Sequence, residues 1–269
     1  MGLTLRPVPG KEKSKVICRA FQTGAPRGAV GDVFFGTEGV MDAWQACQRR
    51  AAAGGAPFYY VDNAYTDPQR GQYFRVTKNA LQVDVRSTLQ QAGGLGAQAM
   101  RPSTGERFAR LGITAREWRD HADGPILVIP QSDSFMKSTL GMVGDWTGRT
   151  IAKLCDGWAG GRDVNVRPWM RDKTKAYIGL REELDTASLV VTWSSASAIT
   201  ALIEGIPAIS ESGSAHALTG PLTRENVVAP HRPSIEARTR FLSILADNQF
   251  TLDEFRDGTA WRWLERPQP

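Results

Sequence analysis

The stretch that most constrains the fold is residues 187–214, ASLVVTWSSASAITALIEGIPAISESGS. Leu189, Val190 and Val191 form a continuous apolar run, the pattern of a strand buried on both faces. The run stops at Thr192-Trp193-Ser194-Ser195-Ala196-Ser197. An apolar-periodic helix over 198–204 follows. Gly205 ends it, Pro207 blocks its continuation, and 206–209 reads as the next strand. A strand–turn–helix–strand unit of this kind belongs in a parallel sheet. It sets Ser194, Ser195 and Ser197 at a helix N-terminus, where backbone N–H groups and the positive end of the helix dipole converge. Serine hydroxyls add donors there without bulk, so the turn suits a phosphate. Serine is equally a common N-cap in turns that bind nothing.

The rest of the chain repeats the alternation. Residues 1–14 read as a lead-in and 16–21 as a short strand. Residues 24–31, GAPRGAVG, form a glycine-rich loop with neither a dinucleotide nor a P-loop fingerprint. Residues 32–35 are a strand. Thr37 is a candidate N-cap for a helix with Val40, Trp44 and Cys47 on one face, and 57–61 is a second buried strand. This order implies a parallel crossover. Asp62 and Asn63 fall just past that strand, on the side where open sheets bind ligands, and a carboxylate there is a candidate general base. Its plainer role is a turn residue accepting backbone N–H groups. In residues 73–79 aromatic and basic side chains interleave, as on nucleic-acid-binding surfaces. Residues 90–105 read as a loop or lid, and 114–119 as a helix start. At Gly124 the strand series restarts with 126–129 and a polar turn at 130–134. A helix over 145–158 follows, then a strand over 163–167 and the basic segment 168–175. The expected domains are therefore 1–123 and 124–269. Ser234 caps a helix over 235–247. Thr251 caps the tail, whose Trp261 and Trp263 dock on the core.

Charge and cysteine content narrow the class. The formal charge is +5 over 269 residues and the pI is about 9.3. This favours a polyanionic partner without choosing among nucleic acid, nucleotide and glycan, and also fits a merely soluble surface. Cys18, Cys47 and Cys155 show no metal or disulfide spacing, and His121, His216 and His231 form no ligand pair. No apolar run approaches a membrane span and no secretory leader is visible, so a cytoplasmic protein without membrane contact is expected.

TWSSASAITALIEGIPAI resembles the donor-domain signature of GT-B-type glycosyltransferases, above all the small, divergent glycosyltransferase-like proteins of bacteriophages and capsule synthesis. VDNAY and YFRVTKNA resemble their acceptor-domain motifs. VRPWMRDK resembles their Val-Arg-Pro-Lys-Pro segment, with Arg167 and Pro168 matching and Trp169 in place of the lysine, which leaves Lys173 or Lys175 as substitutes. The resemblance implies an α/β fold of two Rossmann-like, doubly wound lobes with a cleft between them. It implies a hexosyltransferase using a sugar nucleotide, a UDP-sugar as the expected donor, with no other cofactor. Arg167, Lys173, Ser194, Ser195, Ser197, Glu204 and Ser214 would bind the donor. Glu204 is the only glutamate on the helix where the family holds the donor ribose, and it lies at the helix end. Asn63, Tyr65, Arg75 and Lys78 would bind the acceptor, and Asp62 would be the base of an inverting displacement, with Asp133 and His216 as alternatives. The Asp-x-Asp sequence of metal-dependent transferases is absent, and no metal is expected. The acceptor implied is hydroxymethyl-pyrimidine in phage DNA, with polysaccharide as the competitor. Two other classes stay open: a non-catalytic DNA- or glycan-binding module, and a nucleotide-dependent epimerase or hydrolase.

Overall fold

A computed structural model describes residues 2–36, 39–67, 71–80, 103–131, 136, 145–167 and 173–266. It is an α/β protein whose chain divides into two compact units, Met1–Gly112 with Leu242–Pro269, and Ile113–Phe241. The boundary expected near residue 124 thus falls at 112/113, and the C-terminal segment belongs to the first unit rather than the second. Thr37, Asp133 and residues 168–172 lie outside the described residues, as does most of the expected loop at 90–105.

The first unit is built on a five-stranded sheet of β1 (Leu3–Arg6), β2 (Gly31–Phe35), β3 (Phe58–Asn63), β4 (Tyr73–Lys78) and β9 (Gln249–Thr251), in that spatial order. The first three strands are parallel; β4 runs antiparallel to β3, and β9 antiparallel to β4. The expected lead-in is β1 and the start of helix α1 (Glu12–Thr23). Residues 16–21, expected as a strand, lie inside α1: Ser14, Ile17, Cys18 and Phe21 recur at helical spacing and are buried. Burial pushes the Cys18 thiol up to about 12. Cys155, by contrast, is exposed.

Strand alternation divides the core of this unit. Val33, Tyr59, Val61, Phe74 and Val76 face α1 and the C-terminal helices α10 (Leu252–Arg256) and α11 (Thr259–Glu265). Phe34, Phe58 and Tyr60 point to the other face, where Trp44 and Cys47 of α2 (Met41–Ala52) cover them. The tail docks as its sequence indicates. Thr251 and Glu254 form a reciprocal capping box. Trp261 stacks on Phe21 at 4.8 Å and donates its indole N–H to the Phe21 carbonyl at 2.8 Å. A short helix, α3 (Glu106–Arg110), went unread in the sequence.

The second unit carries a four-stranded, all-parallel sheet of β5 (Ile126–Ile129), β6 (Val164–Val166), β7 (Leu189–Thr192) and β8 (Ala208–Ser210), in the spatial order β6-β5-β7-β8. Its helices are α4 (Trp146–Lys153), α5 (Lys173–Leu184), α6 (Ser197–Glu204), α7 (His216–Thr219) and α8 (Arg224–Val228). Helix α9 (Ile235–Ala246), whose Ala237 N–H is capped by the Ser234 hydroxyl at 3.2 Å, contains the division between the units. The inner strands β5 and β7 are buried throughout, as their continuous apolar runs require. After α4 a π-helical segment, Leu154–Trp158, breaks regular geometry at Asp156 and Gly157. Residues 114–119, expected to start a helix, take no regular structure. Their backbone instead runs along the end of α6, with Arg116 N–H to the Ile203 carbonyl and Arg119 N–H to the Gly205 carbonyl, each at 2.8 Å.

Candidate functional site

The order β6-β5-β7-β8 creates a switch point. From β5 the chain crosses to one side, into β6; from β7 it continues to the other side, into β8. Loops leaving the carboxyl ends of two such strands diverge, and the crevice between them is where open parallel sheets bind ligands. The loop after β7 is the serine turn, and Gln131 of the loop after β5 spans the gap, donating its amide N–H to the Ser194 hydroxyl at 3.2 Å.

The turn is ordered by its own hydroxyls. Thr192 Oγ1, buried, donates to the Ile129 carbonyl at 3.0 Å and accepts the Ser195 N–H at 3.3 Å. Ser195 Oγ accepts the Ser197 N–H at 3.2 Å and donates to Ser197 Oγ at 3.0 Å. Ser194, Ser195 and Ser197 are all half-buried around the first turn of α6. The result is a rim of hydroxyl donors at the positive end of a helix dipole, chemically suited to a phosphate or diphosphate. On the β8 side, Ser210 Oγ donates to the Ser212 carbonyl at 2.8 Å, and the Ser212 N–H reaches the Trp193 carbonyl at 2.7 Å. His216 Nδ1 bonds the Ser210 carbonyl, so this nitrogen carries the proton. Ser214, in the same loop, is buried.

Two donor-site expectations need correction. Glu204 sits at the far end of α6, about 10 Å from Ser197 at the helical rise. It is buried and held by Arg116 at 2.7 Å, Arg181 at 2.8 Å and Arg119 at 3.3 Å. It therefore anchors the helix end and is not available to a ribose at the other end. Arg167 follows β6, two strand spacings or about 10 Å from β7. Its guanidinium is buried, ion-paired with Glu183 and laid over Gly179 of α5, where a Cβ would come within 3.2 Å of it. Lys173 is the first residue of α5.

The acceptor-side residues gather in the first unit, in a different setting from the one expected. Asp62 and Asn63 are the last two residues of β3, not a turn beyond it, and Asp62 lies directly opposite Arg75. The carboxylate accepts Arg75 Nη2 at 2.8 Å, the Tyr60 hydroxyl at 3.4 Å and the Asn63 N–H at 2.7 Å. Its side chain keeps 29% exposure. Arg75 is enclosed, with the Tyr65 ring at 4.6 Å and the Tyr60 ring at 5.7 Å, and it donates to the Tyr65 hydroxyl at 2.9 Å. Burial opposes its charge, but Tyr65 and Asp62 outweigh it and hold the guanidinium pKa above its ordinary value. Burial likewise raises the Tyr60 phenol, with Asp62 adding to the effect. Lys78 binds both carboxylate oxygens of Glu265, at 2.9 and 2.7 Å. The interleaved segment 73–79 is thus mostly a sheet strand with Phe74, Val76 and Thr77 buried, not an open nucleic-acid surface.

Sequence reading missed Gln131, Thr192 and the pair Trp146 and Glu211, whose indole N–H and carboxylate bond each other near the switch point. Thr192 was legible as the polar residue closing a buried run; the others depend on loop geometry. Among the described residues no group of three His, Cys, Asp or Glu side chains gathers as a metal would require, and no helix is long and apolar enough to cross a membrane.

Comparison with protein-family models gives no match, and no curated protein matches the chain. Among solved structures, one titled Thermosulfurimonas dismutans KpsC, beta Kdo 2,4 transferase, aligns with 82% of this chain and 81% of its own, at 14% identity and a TM-score of 0.43. A functional reading therefore stands on the chemistry of the site.

Proposed function

We propose that the protein is a nucleotide-sugar-dependent glycosyltransferase of the hexosyl-transferring kind, with a UDP-sugar as donor. The observation that carries this reading is the serine turn at the β5/β7 switch point, closed by Gln131 and opening α6. In this reading the donor diphosphate lies against the hydroxyls of Ser194, Ser195 and Ser197 and the first turn of α6, with Lys173 supplying a further positive charge. Charge grows on the diphosphate as the sugar–oxygen bond breaks, and donors already fixed in place favour that transition state without a metal ion. Asp62 takes the proton of the acceptor hydroxyl while its oxygen forms the new bond to the anomeric carbon and the nucleoside diphosphate departs, an inverting displacement. Hydroxymethyl-pyrimidine in DNA is the proposed acceptor.

The test has two parts. Calorimetric titration with UDP should show binding that Ser195→Ala/Ser197→Ala weakens tenfold or more, about 1.4 kcal/mol. Mass spectrometry of nucleosides digested from hydroxymethyl-pyrimidine DNA, after incubation with sugar nucleotides, should show a hexose-sized gain that Asp62→Asn abolishes. Release of nucleoside diphosphate without that gain would keep the transferase and move the acceptor to a glycan. Neither binding nor release would overturn the reading.

A second reading, a binding module with a transferase-like fold, is favoured by one specific observation. Asp62, Arg167 and Glu204 are each engaged by oppositely charged side chains of the protein itself.

A further inference from the structure

One short segment carries a net charge equal to that of the whole chain. Between residues 6 and 27 lie Arg6, Lys11, Lys13, Lys15, Arg19 and Arg27 against the single acid Glu12, a net +5 that equals the charge of the entire protein, so that all other residues sum to zero. The structure places Arg6 at the end of β1, Lys11 just before α1, Lys13, Lys15 and Arg19 on α1, and Arg27 in the loop after it. Arg6 is neutralised by Asp32, and Lys15 shares Glu12 at 3.2 Å, an exposed pair of little consequence. Arg19 and Arg27 are exposed and, among the described residues, make no ion pair, whereas the ammonium of Lys13 lies 5.3 Å from the Phe74 ring centroid, toward the sheet. Val16 and Val30, at 39% and 41% exposure, lie on α1 and the loop after it and are two of the four exposed large hydrophobic residues among the described residues.

We infer that the outer face of α1 and the loop that follows it form a docking surface for the phosphate backbone of a nucleic acid. The apolar side of α1 (Ile17, Cys18, Phe21) is committed to the core of the first unit. What faces outward is a set of cations with two isolated valines, not the broad apolar stripe that an interfacial membrane helix buries in lipid. Cations on a rigid helix match a polymer of closely spaced charges. Lys15 and Arg19 stand about 6 Å apart along the axis, close to the 6.8 Å that two successive steps of a B-DNA strand cover. The platform is rigid because Phe21 stacks on Trp261, and Gly24 closes onto the backbone of Phe255 and Gly258 too tightly for any side chain. This surface rests on the DNA-acceptor reading and deepens it by locating where the polymer is held.

The test is fluorescence anisotropy of a labelled 20-base-pair duplex on the full chain across a salt series. Lys15→Gln/Arg19→Gln/Arg27→Gln removes three phosphate contacts and should make the slope of log affinity against log salt less steep by about 2.7, at about 0.9 per contact. The equally charged control Arg49→Gln/Arg149→Gln/Arg224→Gln, on exposed residues elsewhere, should leave the slope near the wild-type value. Circular dichroism establishes that both variants fold. Equal slopes for wild type and the first variant, equal effects of the two triples, or binding to anionic vesicles with none to DNA would each overturn the inference. DNA binding without sugar transfer would support the docking surface and count only against the transferase reading.

Discussion

Gly205 offers a sharp quantitative test of why the α6 unit ends as it does. It caps α6 in the left-handed region, at φ +77°, and a Cβ there would lie 2.0 Å from the Glu117 carbonyl oxygen and 3.3 Å from that of Arg116. Both are backbone atoms of the segment that bonds Ile203 and Gly205 through the Arg116 and Arg119 N–H groups. Gly205→Ala therefore has two costs. The left-handed backbone costs an alanine about 1–2 kcal/mol. Displacing the 116–119 segment loosens two backbone hydrogen bonds, each worth about 0.5–1.5 kcal/mol net. The expected total is about 3 kcal/mol, which at 2–4 °C per kcal/mol lowers the melting temperature of the second unit by about 6–12 °C. Gly161→Ala is the control, because Gly161 has φ +86° in the same unit and nothing within 4 Å of its Cβ position. It should lose only the backbone contribution. Gly205→Asn relieves part of that contribution but keeps the Cβ, so it should remain well below wild type. Urea unfolding followed by circular dichroism measures all three. If Gly205→Ala loses no more stability than Gly161→Ala, the close approach to Glu117 is not what fixes glycine at this position.

Two further outcomes are expected. Glu204→Gln keeps the shape of the side chain but removes the charge that Arg116, Arg119 and Arg181 share. Because two of these arginines are half-exposed and can rehydrate, the loss should be about 2 kcal/mol in urea unfolding; an unchanged midpoint would deny the cluster an anchoring role. Asp32 concerns acid stability. Burial alone would raise its carboxyl, but hydrogen bonds from Arg50 and Arg6 outweigh burial and hold it below the ordinary range. Its stabilisation is thus complete above the unfolded value near 3.9 and is lost as pH falls through the lower folded value. Asp32→Asn should flatten the acid limb of stability below about pH 4, and an identical limb in both proteins would contradict the assignment.

The sequence disclosed most where one physical requirement dominated. The buried run at 189–191 permitted only an inner parallel strand, and Gly205 with Pro207 permitted only a stop. Residues 16–21 misled because a β-branched, apolar cluster satisfies both periods, and only the burial of Ser14 and Phe21 on one side decides for a helix. The site was legible in its location but not in its pairings. Asp62, Arg75, Glu204 and Arg167 announce charge in the sequence. What neutralises each of them depends on partners 13 to 88 positions away, the outermost being Arg75 for Asp62 and Arg116 for Glu204, which no local pattern specifies. The assignment of the tail to the first unit was hidden for the same reason, since β9 pairs with β4 across most of the chain.

That pairing has a consequence for how the protein is made. The second unit is one continuous stretch of chain, whereas the first is split and completed only by residues 242–269. During synthesis, α1, β2, β3 and β4 emerge early, yet Phe21, Tyr59 and Phe74 lack Trp261, Phe250 and Phe255 until residues 250–261 leave the ribosome. The portion translated later, 113–241, therefore completes its fold before the portion translated first. The nascent N-terminal strands must wait with an open apolar face, the kind of surface that chaperones recognise and that makes long-range sheet closure slow.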